Sequence, residues 1–129
     1  MQQKTETSEQ EAVFEWAALS SSRYPELRLM YHIPNEGKRS AQNGAQLQRI
    51  GLKKGVPDIC LPVPHGCYSA LYIELKKDSK SKPTPEQKWF VDQLNRAGNC
   101  AIVCYGSEAA IEAIKKYIKI QTREVGFYD

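Results

Sequence analysis

Asp58, in the segment GVPDICLP, and Glu74 with Lys76, in LYIELKK, are the residues whose types and spacing could do chemistry. Side chains alternate along a strand, so Tyr72, Glu74 and Lys76 share one face of segment 70–76 while Leu71, Ile73 and Leu75 share the other. In segment 56–62, Asp58 and Cys60 fall opposite Ile59 and Leu61. Burying both apolar sets on one side fixes the pairing parity, because a one-residue slip would expose every apolar side chain. The intervening VPHGCYS carries turn residues, so the two segments read as a hairpin. Centred near Gly66, that hairpin sets Asp58 across from Glu74, with opposed Cβ atoms about 5 Å apart. Two carboxylates so placed repel by a few tenths of a kcal/mol up to about 1. A divalent cation reverses that sign: Mg²⁺ takes oxygen ligands at about 2.1 Å, commonly one or two carboxylates with phosphate oxygens and water. Beside an ammonium group, such a pair suits metal-assisted attack of water on a phosphodiester. Lys76 would orient or deprotonate the water, or neutralise charge in the transition state. Taken singly, each residue also has a plain structural use: Asp58 at a strand end, Glu-x-Lys as a solvated strand face.

The rest of the chain must position this hairpin. Ser8 opens a helix to about Ser21, with Ser8-x-x-Glu11 fitting a capping box and Ala12, Phe14, Trp16, Ala17 and Leu19 giving it apolar surface. Residues 27–33 (LRLMYHI) read as a first strand stopped by Pro34. Residues 35–55 hold five basic residues against one acid, with glycines at 37, 44, 51 and 55. This is a long basic loop in which residues 41–50 could form a short helix, and loops of such length tend to be functional or disordered. After the hairpin, Thr84-Pro85-Glu86-Gln87 starts a second helix with a capping box from Thr84 to Gln87, ending at Gly98. CAIVCY at 100–105 is a buried strand, and Ser107 caps a last helix supported by Glu112 and Lys116. The order is αβββαβα, an α/β arrangement in which a small mixed β-sheet is flanked by helices. Strands three and four, joined by a crossover helix, should run parallel with a right-handed connection. Residues 1–120 form a single domain, with 121–129 a tail.

Composition excludes several classes. The 129 residues are 41% apolar and 26% charged, ordinary for a soluble globular domain. No run reaches the roughly 18 apolar residues of a membrane span, and the polar start MQQKTETSEQE is unlike a secretory signal. A net charge of +3 is too small to argue for nucleic acid on its own. Cys60, Cys67, Cys100 and Cys104 make no CxxC pair and read as buried thiols in a reducing compartment rather than a zinc site. No Ser-His-Asp set or Gly-rich phosphate loop is present, and neither a membrane partner nor a small organic cofactor is expected.

Pro57-Asp58 followed by Glu74-Leu75-Lys76 fits the PD-(D/E)xK nuclease pattern, which is short and degenerate by itself. Its surroundings sharpen it. The chain closely resembles the VRR-NUC (virus-type replication-repair nuclease) family: an N-terminal helix bearing a Glu, Ile33-Pro34-Asn35-Glu36-Gly37 with Arg39, Gly55-Val56-Pro57-Asp58, Ile73-Glu74-Leu75-Lys76, and a Pro-Glu-Gln helix start. The match runs from about Ser8 to Ile118, in the manner of the stand-alone phage and bacterial members. The resemblance implies a restriction-endonuclease-like core. It implies Asp58, Glu74 and the main-chain carbonyl of Leu75 as ligands of Mg²⁺ or Mn²⁺, and Lys76 as the catalytic lysine. Glu11 would be the helix-borne acid completing the site directly or through water, and Gln87 the motif glutamine near the lysine. Each has an alternative use, Glu11 in the box from Ser8 and Gln87 in the box from Thr84.

Lys38, Arg39, Arg49, Lys53 and Lys54 are candidates for phosphate contacts, and Lys77, Lys80 and Lys82 could extend the track. His32 reads first as a satisfied strand histidine. The resemblance implies a cytoplasmic, metal-dependent DNA endonuclease, homodimeric and acting on branched DNA such as four-way junctions. A nuclease for flaps, ends or linear DNA, or a non-catalytic nucleic-acid-binding module on the same fold, is the alternative.

Overall fold

The computed structural model describes residues 4–34 and 41–121. Helix α1 (Glu6–Ser20) begins three residues earlier than the Ser8–Glu11 box would place it. Thr5 is the N-cap: its hydroxyl accepts the Ser8 N–H at 2.9 Å, and the Ser8 hydroxyl accepts the Thr5 N–H at 3.0 Å. Two hydroxyl residues three apart satisfy two helix-end donors reciprocally, so no Glu is needed at the third position. The extra turn puts Glu6 and Glu9 on the helix, with Glu9, Val13 and Ala17 on its buried stripe.

The segment LRLMYHI is only partly a strand. Pro25–Leu29 forms a 3₁₀ turn with Leu27 buried, and Met30, its C-cap residue, is buried as well. Burial at a spacing of three is the 3₁₀ repeat rather than the alternation of a strand. Strand β1 is therefore confined to Tyr31–His32. Within the basic segment, helix α2 (Ala41–Arg49) forms, adding an element to the expected order. Strands β2 (Ile59–Leu61) and β3 (Leu71–Lys76) make the hairpin, followed by α3 (Pro85–Arg96), β4 (Cys100–Tyr105) and α4 (Ser107–Ile118).

The four-stranded sheet runs β1-β2-β3-β4. The β2–β3 register pairs Ile59 with Ile73, Cys60 with Tyr72 and Leu61 with Leu71, so the hairpin is centred on Gly66 as the parity argument requires. β1 is antiparallel to β2, and β4 is parallel to β3, with Glu74 beside Val103 and Lys76 beside Tyr105. The core lies between the apolar face of this sheet (Ile59, Leu61, Leu71, Ile73, Leu75) and helices α1 and α4 (Val13, Ala17, Ala110, Ile114, Tyr117). Helix α3 buries no residue fully and adds nothing to that core. It is tied to β4 instead by Asn95, whose side chain accepts the Ala101 N–H at 2.8 Å and donates to its carbonyl at 2.9 Å.

Two local details depart from expectation. The N-cap position of α4 is Gly106, at φ 92°, rather than Ser107. The cap comes from outside the helix: the Ser107 N–H donates to Oε1 of Glu9 at 3.0 Å, a carboxylate at the positive end of the helix dipole. In α4, Glu112 pairs with Lys115 at 3.5 Å rather than with Lys116, an i,i+3 neighbour on the same surface. All four cysteines are free; Cys60 and Cys104 are buried, Cys100 is half-buried and Cys67 is exposed at the hairpin tip. Among the described residues, no helix is long and apolar enough to cross a membrane.

Candidate active site

Asp58 precedes β2 and is fixed on every side. Its N–H donates to the Ile73 carbonyl at 2.9 Å, and its carbonyl accepts the Ile33 N–H at 2.8 Å and the His32 Nδ1 donor at 2.9 Å. Oδ2 accepts the Leu75 N–H at 2.7 Å. His32 is thus a satisfied strand histidine that positions Asp58 through its backbone. The ladder of paired residues stops at Ile59–Ile73: Asp58, one residue earlier, bonds through its N–H to Ile73 and through its carboxylate to Leu75, the residues on either side of Glu74.

Glu74 is 1% exposed, and its Oε2 is buried with no hydrogen-bond partner. Its Oε1 lies 3.7 Å from Nζ of Lys76, itself buried, and that Nζ lies 3.6 Å from Oε1 of Glu6. A buried acceptor left without a partner is costly. Burial pushes the Glu74 carboxyl up to about 8, helped by the Asp58 charge, a hydrogen bond with Asp58 and the Glu6 charge, while Lys76 pulls it down. Asp58 is also raised, first by burial and then by Glu6. The Leu75 N–H, the hydrogen bond with Glu74 and the Lys76 charge work against that rise. Burial of Glu74 beside the Asp58 charge thus disfavours its ionised form, a penalty that a cation between the two carboxylates would offset.

The donor set fits a hard divalent cation. Oε2 of Glu74 is an orphaned carboxylate oxygen, and among the described residues the hydrogen bond to the Asp58 carboxylate is the Leu75 N–H on Oδ2. In an extended strand the N–H and C=O of one residue point the same way, so the Leu75 carbonyl is directed to the same edge of β3 as the N–H it gives to Asp58. The Lys76 carbonyl points the other way, to the Gly106 N–H at 2.7 Å. Among the described residues, no three acid, histidine or cysteine side chains converge to enclose an ion by themselves. Mg²⁺ commonly manages with one or two carboxylates, its remaining positions going to water and phosphate oxygens.

The other expected residues are placed as follows. Glu11 is exposed on α1, five residues and so about 140° around the helix from Glu6. Glu6 is the α1 acid that meets Lys76. It was hidden in the sequence because starting the helix at Ser8 leaves Glu6 outside it. Gln87 serves the cap of α3: its Oε1 accepts the Thr84 N–H at 2.8 Å, and its own N–H donates to the Thr84 hydroxyl at 3.2 Å. That helix end is pressed against Gly55, which sits at φ 89°; a Cβ there would stand 2.5 Å from the Glu86 carbonyl carbon and 2.8 Å from the Gln87 nitrogen. Glycine at 55 thus allows the chain entering Asp58 to approach α3. Arg49, Lys53 and Lys54 are exposed. Lys38 and Arg39, with Asn35, Glu36 and Gly37 of the expected motif, lie outside the described residues, as does the tail from 122 on. A row of Tyr31, Cys60 and Tyr72 crosses the sheet beside the acids; burial and Cys60 push the Tyr72 hydroxyl up to about 12.

A family model for the VRR-NUC domain matches residues 4–108. A solved structure of a VRR_NUC domain protein is 31% identical, superposes with a TM-score of 0.83, and covers 96% of this chain and 96% of its own. No curated protein matches. With a nuclease-type fold, the acid pair across its hairpin and the family model spanning most of its length, this chain belongs to the VRR-NUC domain family.

Proposed function

We propose that this protein is a Mg²⁺- or Mn²⁺-dependent DNA endonuclease that hydrolyses phosphodiester bonds in branched DNA, four-way junctions included, as a homodimer. The observation that carries the reading is the buried Glu74, with one oxygen unpartnered, beside the half-buried Asp58 and a buried lysine. Oxygen-only donors of this kind favour Mg²⁺ or Mn²⁺ over softer ions. When bound, the cation would polarise a phosphoryl oxygen and lower the pKa of a water molecule.

The chain's own residues do the rest. Asp58, Glu74 and the Leu75 carbonyl would hold the ion. Asp58 can present only Oδ1 freely, because the Leu75 N–H holds Oδ2. Lys76, fixed between Glu6 and Glu74, keeps a positive charge at the reacting centre and needs no reorganisation when negative charge grows on phosphorus. Its Nζ can also orient the attacking water. The water oxygen bonds to phosphorus in line as the bond to the 3′-oxygen breaks, with no covalent enzyme intermediate. Glu6 is the positioning acid of α1: it holds Lys76, and it reaches the site where Glu11 does not. Arg49, Lys53 and Lys54, with Lys38 and Arg39, supply the phosphate contacts that hold DNA without reading its sequence. The dimer and the preference for branched DNA rest on the resemblance to stand-alone family members; a two-fold pair of sites suits paired nicks on a two-fold junction.

The test is a cleavage panel of junction, flap, nicked and linear DNA, with and without Mg²⁺, with Glu74→Ala as the blank. Metal-dependent cutting strongest on the junction is expected. Cutting confined to flaps or ends moves the substrate to that class. Binding without cutting by the wild-type protein would establish a binding module instead.

A further inference from the structure

Helix α3 leaves an apolar face open. Trp89 is 59% exposed, and its ring meets Phe90 edge-on at 5.4 Å between centroids. With Pro85 and Leu94 they line an open cavity of about 810 Å³; Lys53 and Lys54 line it from the α2–β2 connection, and Glu86 is the one acid in the lining, so its charge is net positive. Both lysines are exposed, and among the described residues neither makes an ion pair. Apolar rings beside unpaired ammonium groups match a nucleotide, which offers a flat base to one and a phosphate to the other.

Position gives a second reason. Lys54 is four residues before Asp58, and Gly55 between them is packed on the start of α3. Four residues span at most about 14 Å, roughly four base steps of stacked DNA. The lysine edge of the cavity is thus within a few nucleotides' reach of the acids at which DNA would be cut.

We propose that the Trp89–Phe90 cavity receives an unpaired base of the substrate, Trp89 stacking on the base while Lys53 and Lys54 hold the adjoining phosphates. The inference rests on the nuclease reading for its substrate, and it adds a binding site that selects DNA with single-stranded character next to the cut. A second copy of this chain is the competing occupant; two lysines against one acid, Glu86, leave each face net positive, which favours a phosphate-bearing strand over a like-charged copy.

The test compares a ten-nucleotide oligo-dT with an abasic oligomer of equal length and charge, by fluorescence anisotropy of labelled DNA in EDTA. Oligo-dT should bind about 5- to 150-fold tighter than the abasic strand, the range of a single stacking contact. Trp89→Ala should remove that difference and leave abasic binding unchanged; Trp89→Phe should keep it within about threefold, since either ring can stack. Thermal melting checks that each variant is folded. Equal affinity for the two strands, or equal weakening of both by Trp89→Ala, overturns the proposal. Conversion of a dimer to a monomer by Trp89→Ala in sedimentation, with base discrimination absent, assigns the face to a second copy and also overturns it. Wild-type cleavage in Mg²⁺ is scored separately, so loss of the stacking site and loss of the nuclease reading are different results.

Discussion

Replacing Glu74 by Gln should make the metal-free protein more stable at pH 8 and leave it nearly unchanged at pH 5. Glu74 is lifted from 4.5 to about 8, with burial the largest cause and Asp58 the next. In the unfolded chain the group ionises near its ordinary value; in the folded chain it keeps its proton until about pH 8. Its contribution to stability is therefore fully present below about pH 4.5 and is lost as pH rises to about 8. At 1.36 kcal/mol per pKa unit, full realisation would be on the order of 4 kcal/mol. Because Glu74 and Asp58 titrate as a coupled pair, about 2–3 kcal/mol is the expected part. For a chain of this length that is roughly 6–15 °C in Tm. Melting curves in EDTA at pH 5, 6.5 and 8 should show the gap between Glu74→Gln and wild type opening with pH by about that amount. Mg²⁺ at 100 times its Kd should restore about 2.7 kcal/mol to the wild type at pH 8 and nothing to the variant. Parallel pH curves for the two proteins, or a wild type more stable than the variant at pH 8, would refute the reasoning.

The remaining predictions concern the same machinery. Asp58→Asn and Lys76→Ala should each abolish cleavage, measured on junction DNA, while DNA binding persists; cutting retained by both would end the assignment. Glu6→Ala should slow cleavage more than Glu11→Ala, because Glu6 meets Lys76 and Glu11 is exposed; the reverse ranking would return the role to Glu11. Neutralising Lys53 and Lys54 together should weaken binding to unrelated sequences alike and reduce the salt slope by about 2, read from affinities at several salt concentrations. Gly55→Ala should cost about 3 kcal/mol or more in denaturant unfolding, since the added Cβ meets backbone of α3 at a positive φ.

The hairpin was legible because its information is local. Alternation in ICL and LYIEL, a turn between them and the need to bury one face leave a single parity, and the observed Ile59–Ile73 pairing follows it. The elements after it were legible for the same reason, down to the Thr84–Gln87 box. What was hidden depends on choices between near-equal local options. Thr5 and Ser8 could each begin α1, and only the structure shows which does; the three-residue difference moves the helix acid from Glu11 to Glu6. The burial of Leu27 and Met30, which turns LRLM into a 3₁₀ turn, is set by the helices packed on them. Glu9 as the cap of α4 is a contact across 98 residues, beyond any local pattern. His65 is likewise tied to distant groups, Glu26 at 2.7 Å and the Ile120 carbonyl at 2.6 Å, which anchor the hairpin tip.

Calorimetric titration of Mn²⁺ into the metal-free protein is the most direct measurement of whether Asp58 and Glu74 share a cation. Saturable uptake by the wild type, lost in Asp58→Asn and in Glu74→Gln, is the predicted result. No uptake by the wild type, or uptake that both variants retain, would contradict it.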